Sequence, residues 1–481
     1  MPRATKASAR NVPGLPSTTF VLDNGGYTIK AGFAPSQPTP DDEVLLNCRI
    51  IPNALVRSRD RKTYVGSQCE EITQWSEALF RRPVENGQVV SWEAQKEVWD
   101  QLFFDEKTAG RNMSIKSPED TTLIFTEPPS TMPALQKNAD EIIMEEWGFG
   151  GYSRVLGPSL NAYNDLHPLF EGSAVSPENN SWGQEPMECL LVVDSGHSHT
   201  TVTPLFKGRP LHRAIRRLDC GGKHLTNLLK EIISVRHFDL HQDTKIVNDI
   251  KEDVCFVSND FRGDLEKTWN GNKGHHTAVS AKRQEGEADD AMDVDQKSSI
   301  EEVRVDYVLP DGIHLLKGFS RPHDPTPAAR KRRQAALAGT AADSEITMTL
   351  GNERFAVPEI LFSPSDIGSK QPGIPDIVLQ SLSVLPPLVQ ATMLSNVLVV
   401  GGCAKMPGFV ERIEAELRMR VKTEWAVRVR KMQDPFTSTW LGGARMSSRS
   451  PEVVREYGVT REEYLEHGSA WLARRFAYGN G

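Results

Sequence analysis

The sequence predicts a large protein of the α/β class. Three observations carry that reading. Two widely separated segments repeat one pattern of strand, glycine turn and second strand; a third apolar run ends in a Gly-Gly turn and passes into a helical segment; and a segment between them has helical apolar spacing. The chain of 481 residues has a prior of roughly two to four structural units and ample material for a large core. Hydrophobic residues make up 38% and charged residues 25%, which excludes a disulfide mini-protein and gross disorder. With 56 Lys and Arg against 64 Asp and Glu, the net charge of −8 leaves no global basic field to hold nucleic acid by counterion release.

Along the chain, the first sixteen residues carry Arg3, Lys6 and Arg10 without an acid or an apolar core. They read as a disordered basic arm, neither signal peptide nor anchor. Phe20 to Ala34, FVLDNGGYTIKAGFA, and Leu190 to Gly208, LLVVDSGHSHTTVTPLFKG, form the repeated unit. In each, an apolar strand ends in Asp (Asp23, Asp194), then Asn24 or Ser195, then glycine (Gly25 and Gly26, or Gly196), before a second strand. Such a turn can aim backbone N–H groups at an anion. The two carboxylates could then face one metal–phosphate from opposite sides. Taken singly, DNG and DSG are common turns, and only their pairing points to chemistry.

His241 to Phe256 is expected to be an amphipathic helix with Ile246, Val247, Ile250 and Val254 on one stripe and Lys251 with Glu252 at its edge. An insertion zone follows. Glu285 to Glu302 holds eight acidic residues and one lysine, a composition that should remain a solvated loop. Val303 to Gly312, VRVDYVLPDG, is a strand stopped by turn residues. Arg321 to Ala342 contains four consecutive cations, Arg330 to Arg333, which read either as a solvated charge run or as a nuclear-import or DNA-facing patch. Asn396 to Glu416, NVLVVGGCAKMPGFVERIEAE, gives a strand, a turn at Gly401 and Gly402, and a helix expected to open at Pro407. Glycine there permits close approach of a nucleoside or phosphate. The six cysteines form no CxxC pair, which fits free thiols in a reducing compartment. No apolar run approaches the roughly 20 residues of a membrane helix, so no membrane partner is expected.

These elements, in this order, resemble the actin and sugar-kinase ATPase fold, and in detail the actin-related protein family. LDNGGYTIKAGFA, RPVENGQVVSWEAQKEVWDQLFF, RLDCGGKHLT, DIKEDVCFV, TLGNERFAVPEILFSPSDIG, VVGGCAKMPGF and STWLGGARM are similar to actin segments from Thr18 to Phe476. The resemblance implies two lobes, each with a βαβ-type core, and four subdomains around a central cleft. It assigns residues 1–17 to the basic arm; 18–52, 81–157 and 436–481 to the first subdomain; 53–80 to the second, with a shortened loop; 158–220 and 369–435 to the third. Residues 221–368 form the fourth, with insertions near 271–302 and 317–345. It places Asp23, Asn24, Gly25, Gly26, Lys30, Asp194, Ser195, Gly196, Lys251, Glu252, Gly401, Gly402 and Met406 at a nucleotide cleft for ATP or ADP. Asp23 and Asp194 would hold magnesium through water.

Departures from actin shape the functional expectation. Tyr27 stands where actin has a phosphate-loop glycine, His197 where it has an acid beside the metal, Asn248 for an arginine and Phe436 for a lysine. An ungapped comparison over Ile142 to Tyr163 puts Gly157, followed by Pro158, where actin's water-orienting glutamine belongs, so no catalytic residue is assigned and hydrolysis is expected to be absent or very slow. Residues 53–63 are too short and too charged for actin's inserting loop, so self-polymerisation is not expected. FRRPVENGQVVSWE and Val193 to Leu229 are most similar to the actin-related protein 6 class. That resemblance implies a nuclear subunit of a chromatin remodeller that exchanges a variant histone into nucleosomes. Its partners would be the remodelling ATPase, a zinc-finger HIT-domain subunit and the nucleosome, with histones or DNA met through the insertions. The alternatives are a cytoskeletal filament or capping ATPase and a sugar- or acetate-kinase-like phosphotransferase.

Overall fold

A computed structural model describes residues 14–58, 61–72, 78–105, 107–109, 113–170, 186–268, 303–311, 314–337 and 345–479. Two six-stranded sheets organise it. In the first, Thr18–Asn24 lies between its antiparallel partner Thr28–Phe33 and the parallel strand Thr121–Glu127, and Arg49–Pro52, Gly151–Leu156 and Val459–Thr460 extend the two edges. The second repeats the plan. Cys189–Ser195 pairs antiparallel with Thr200–Phe206 and parallel with Val397–Val400. Thr121–Glu127, Gly151–Leu156 and Val397–Val400 are buried along their whole length, as strands covered on both faces must be. The expected repeated unit is therefore present once in each sheet.

Each sheet has its own core. Phe20, Leu22, Phe125 and Tyr152 of the first pack with Trp99 and Phe103 from the helix Trp92–Phe103. Leu191, Val193 and Val399 of the second pack with Leu225 and Leu229 from Gly222–Arg236 and with Val247 and Ile250 from Thr244–Val254. Each such side chain contributes about 1.5–3 kcal/mol by leaving water. The helix expected over 241–256 is trimmed to Thr244–Val254. It begins where the Val247 N–H reaches the Asp243 carbonyl and ends where Cys255 turns extended.

One local expectation is corrected and another is refined. The helix expected to open at Pro407 starts at Phe409, after a short 3-10 turn over Gly402–Lys405. Gly408 intervenes with φ +80°, and a Cβ there would sit 2.1 Å from the Val257 carbonyl oxygen, so the chain reverses before it can coil. The basic segment is also more than a charge run. Phe319–Pro322 pairs with Val305–Val308, which pairs on its other edge with Thr347–Leu350, and Pro327–Leu337 is a helix. Arg333 turns inward to the buried Asp306, which also accepts from Thr349 and contacts His323. Arg330, Lys331 and Arg332 face outward.

Leu55–Arg57 and Thr63–Val65 form the expected short hairpin, though Arg59 and Asp60 at its tip lie outside the described residues. So do residues 1–13 of the basic arm and the acidic stretch Glu285 to Glu302. All six cysteines are free thiols. Among the described residues no helix is long and apolar enough to cross a membrane.

Candidate functional site

The two glycine hairpins face one another across a cavity of about 680 Å³, within the range of small-molecule sites. Asp23, Asn24, Gly25, Gly26, Lys30, Asp194, Gly196, Lys251, Glu252, Gly401, Gly402 and Met406 all line it. Ser195 is the exception. Its hydroxyl is buried behind the hairpin, 3.0 Å from that of Thr200, so the side chain braces the turn and does not face the cavity.

Register sets the charges at the mouth. Asp23 lies opposite Lys30 across the first hairpin, giving an ion pair at 3.3 Å, and Thr126 donates to its other oxygen at 2.8 Å. Asp194 ends the corresponding strand of the second sheet. Burial, reinforced by the nearby Asp23 carboxylate, pushes its acid up to about 6. Gly401, at φ +93°, passes so close to this strand that a Cβ would lie 2.4 Å from the Ser195 carbonyl oxygen and 2.8 Å from Asp194 Oδ1. Only glycine fits there.

Some of the turn amides are engaged within the protein: Gly25 N–H donates to the Asp23 carbonyl, Gly196 N–H to the His199 carbonyl and Gly401 N–H to the Pro435 carbonyl. Positive charge comes instead from side chains. Lys30 Nζ stands 4.3 Å and Lys405 Nζ 4.7 Å from the Phe436 ring centre, flanking it in the cavity wall. Lys251 is less available, because its ammonium is buried and donates to Thr226 and Asn248. Asn248 in turn donates to Glu252. Asn24 likewise faces backwards, accepting from Trp99 Nε1 and donating to Gln95.

Side chains noted in the sequence as departures from actin, together with others it left unassigned, tie the two halves together. The Tyr27 and His197 rings meet at 4.7 Å, and the Tyr27 hydroxyl accepts from Asn248 at 3.2 Å. Arg82 stacks on Tyr27 at 4.2 Å and donates to its carbonyl. Burial among cations drives His197 down to about 2, so that its ring is neutral. Arg217 of the second sheet donates to Ser130 and to the Asn86 carbonyl. Glu127 lines the cavity where the strand Thr121–Glu127 ends, and Lys317 to Phe319 bring the insertion to its rim. The sequence motifs contain Tyr27, Arg82, His197 and Arg217 but do not show these contacts, because the partners are far away in sequence.

The actin family model matches residues 14–477. The chain belongs to the actin family. The chain is 54% identical to actin-like protein arp6 of Aspergillus fumigatus, over 98% of each chain. It is 46% identical to actin-related protein 6 of Neurospora crassa, over 99% of this chain and 98% of that one. Identity to actin-related protein 6 of Drosophila melanogaster is 32%, over 96% of this chain and all of the other. The two sheets, the paired hairpins and the cavity between them are thus an actin-like fold.

Within this actin-family cleft, a ring between two ammonium groups, a carboxylate at Glu252 and a glycine turn suit a nucleotide. Burial raises the Asp194 acid and the neighbouring Asp23 carboxylate adds to it, a pairing of acids that a divalent cation would relieve. Among the described residues no group of three or more His, Cys, Asp or Glu gathers as a metal cage.

Proposed function

We propose that this actin-related protein is a non-polymerising structural subunit of a nuclear chromatin remodeller that exchanges a variant histone into nucleosomes. The remodelling ATPase and a zinc-finger HIT-domain protein are its proposed partners, and ATP or ADP with magnesium its structural ligand. Bound nucleotide stabilises the folded chain by mass action, whether or not it is turned over. One observation carries the reading. Gly157 and Pro158 line the cavity, and neither has a side chain that can orient an attacking water. The names of the relatives matched over nearly their whole length support the actin-related class within this reading. The outward cations of the helix Pro327–Leu337 offer a polyanion, nucleosomal DNA, a local surface despite the negative net charge.

The test is purification of the tagged full-length chain from nuclear extract, with single-turnover hydrolysis measured on the purified chain. A stable assembly containing a remodelling ATPase, with no phosphate release above buffer, is expected. Fractionation with cytoplasmic actin filaments, or hydrolysis at an actin-like rate, would overturn it.

A further inference from the structure

We propose that the cleft is built for a nucleoside diphosphate, and that Tyr27, backed by His197, is the residue that excludes a terminal phosphoryl group. The proposal rests on reading the cleft as a nucleotide site. A phosphate chain entering from the Gly401–Gly402 and Phe436 side runs toward the two hairpin turns, and its outermost group needs room between them. That room is taken. A Cβ added to Gly26 of the first turn would lie 2.5 Å from the Ser198 hydroxyl of the second, so the turns already touch. Beside this contact the Tyr27 and His197 rings meet at 4.7 Å.

The Tyr27 ring is not free to swing aside. Tyr27 is held by Arg82 over its face, by Asn248 at its hydroxyl, and by the Asn53 N–H and Arg82 at its carbonyl. The His197 carbonyl accepts from the Lys223 N–H at 2.8 Å, which fixes the tip of the second turn. Electrostatics act in the same direction. The neutral imidazole brings no charge to meet a further phosphoryl group. A diphosphate stopping short of the rings still reaches Lys30, and Lys405 flanks the same wall.

Calorimetric titration of the purified full-length chain with ADP and with ATP, each with magnesium, tests this. ADP is expected to bind at least roughly tenfold tighter than ATP. Tyr27→Gly should bring the two affinities within about threefold by restoring ATP binding, and Tyr27→Phe, which keeps the ring, should restore the preference. His197→Asn, which shortens the opposing side chain without touching Tyr27, should narrow the gap even if the glycine variant is unfolded by circular dichroism. Equal or tighter ATP binding by the natural chain overturns the proposal while leaving the nucleotide cleft standing, as does an unchanged ratio in a folded Tyr27→Gly or His197→Asn protein. Failure of both nucleotides to bind removes the underlying reading as well.

Discussion

Glu127 shows how one residue can join the cleft to the core. Both its oxygens accept from Gln136, and Arg154 approaches it at 3.5 Å while pairing more closely with Asp140, which also accepts from Tyr152. Two buried carboxylates thus share a single guanidinium. Burial pushes Glu127 up to about 7 and Asp140 up to about 6. For Glu127 the folded chain holds a proton that the unfolded chain releases from about 4.5 upward. Its contribution is therefore fully present below that pH and is lost as pH rises through about 7. Glu127→Gln mimics the protonated acid at every pH. Urea midpoints between pH 4.5 and 8 should show the natural chain losing stability relative to this variant by on the order of 2 kcal/mol. Parallel profiles would mean that Glu127 titrates normally.

The helix Pro327–Leu337 divides its cations between two tasks. Arg333→Ala should cost about 2 kcal/mol in a urea melt, since it leaves the buried Asp306 with weaker partners. Reversing Arg330, Lys331 and Arg332 to glutamate should change stability by no more than about 0.5 kcal/mol, yet remove salt-dependent retention of nucleosomal DNA in a mobility-shift assay. Composition alone shows a charge run here, because Asp306 is carried by a strand before the helix and becomes its partner only when Val305–Val308 and Phe319–Pro322 pair. The hairpins were legible for the opposite reason. An aspartate, a glycine turn and flanking apolar residues are local, and the register that sets Lys30 against Asp23 follows from the turn. Ser195 shows the limit of local reading, since the same pattern does not say which side chain of the turn faces inward.

At the scale of the whole molecule, contacts between residues remote in sequence bind the halves. Tyr27 meets Asn248, and Arg217 reaches Ser130 and Asn86, none of them partners that spacing could reveal. These contacts link the two walls of the cleft. The short hairpin around Arg57 and Lys62 offers no apolar plug for a neighbouring copy. Ultracentrifugation of the concentrated chain with Mg-ATP should accordingly leave it in the supernatant, and a pelleted polymer would contradict this. The ribbon Phe319–Pro322 leaves the cavity at Phe319 and leads within a few residues into the basic helix. Any coupling between cargo in the cavity and a macromolecule on that helix would run through this short ribbon, and its strength would be the same in both directions.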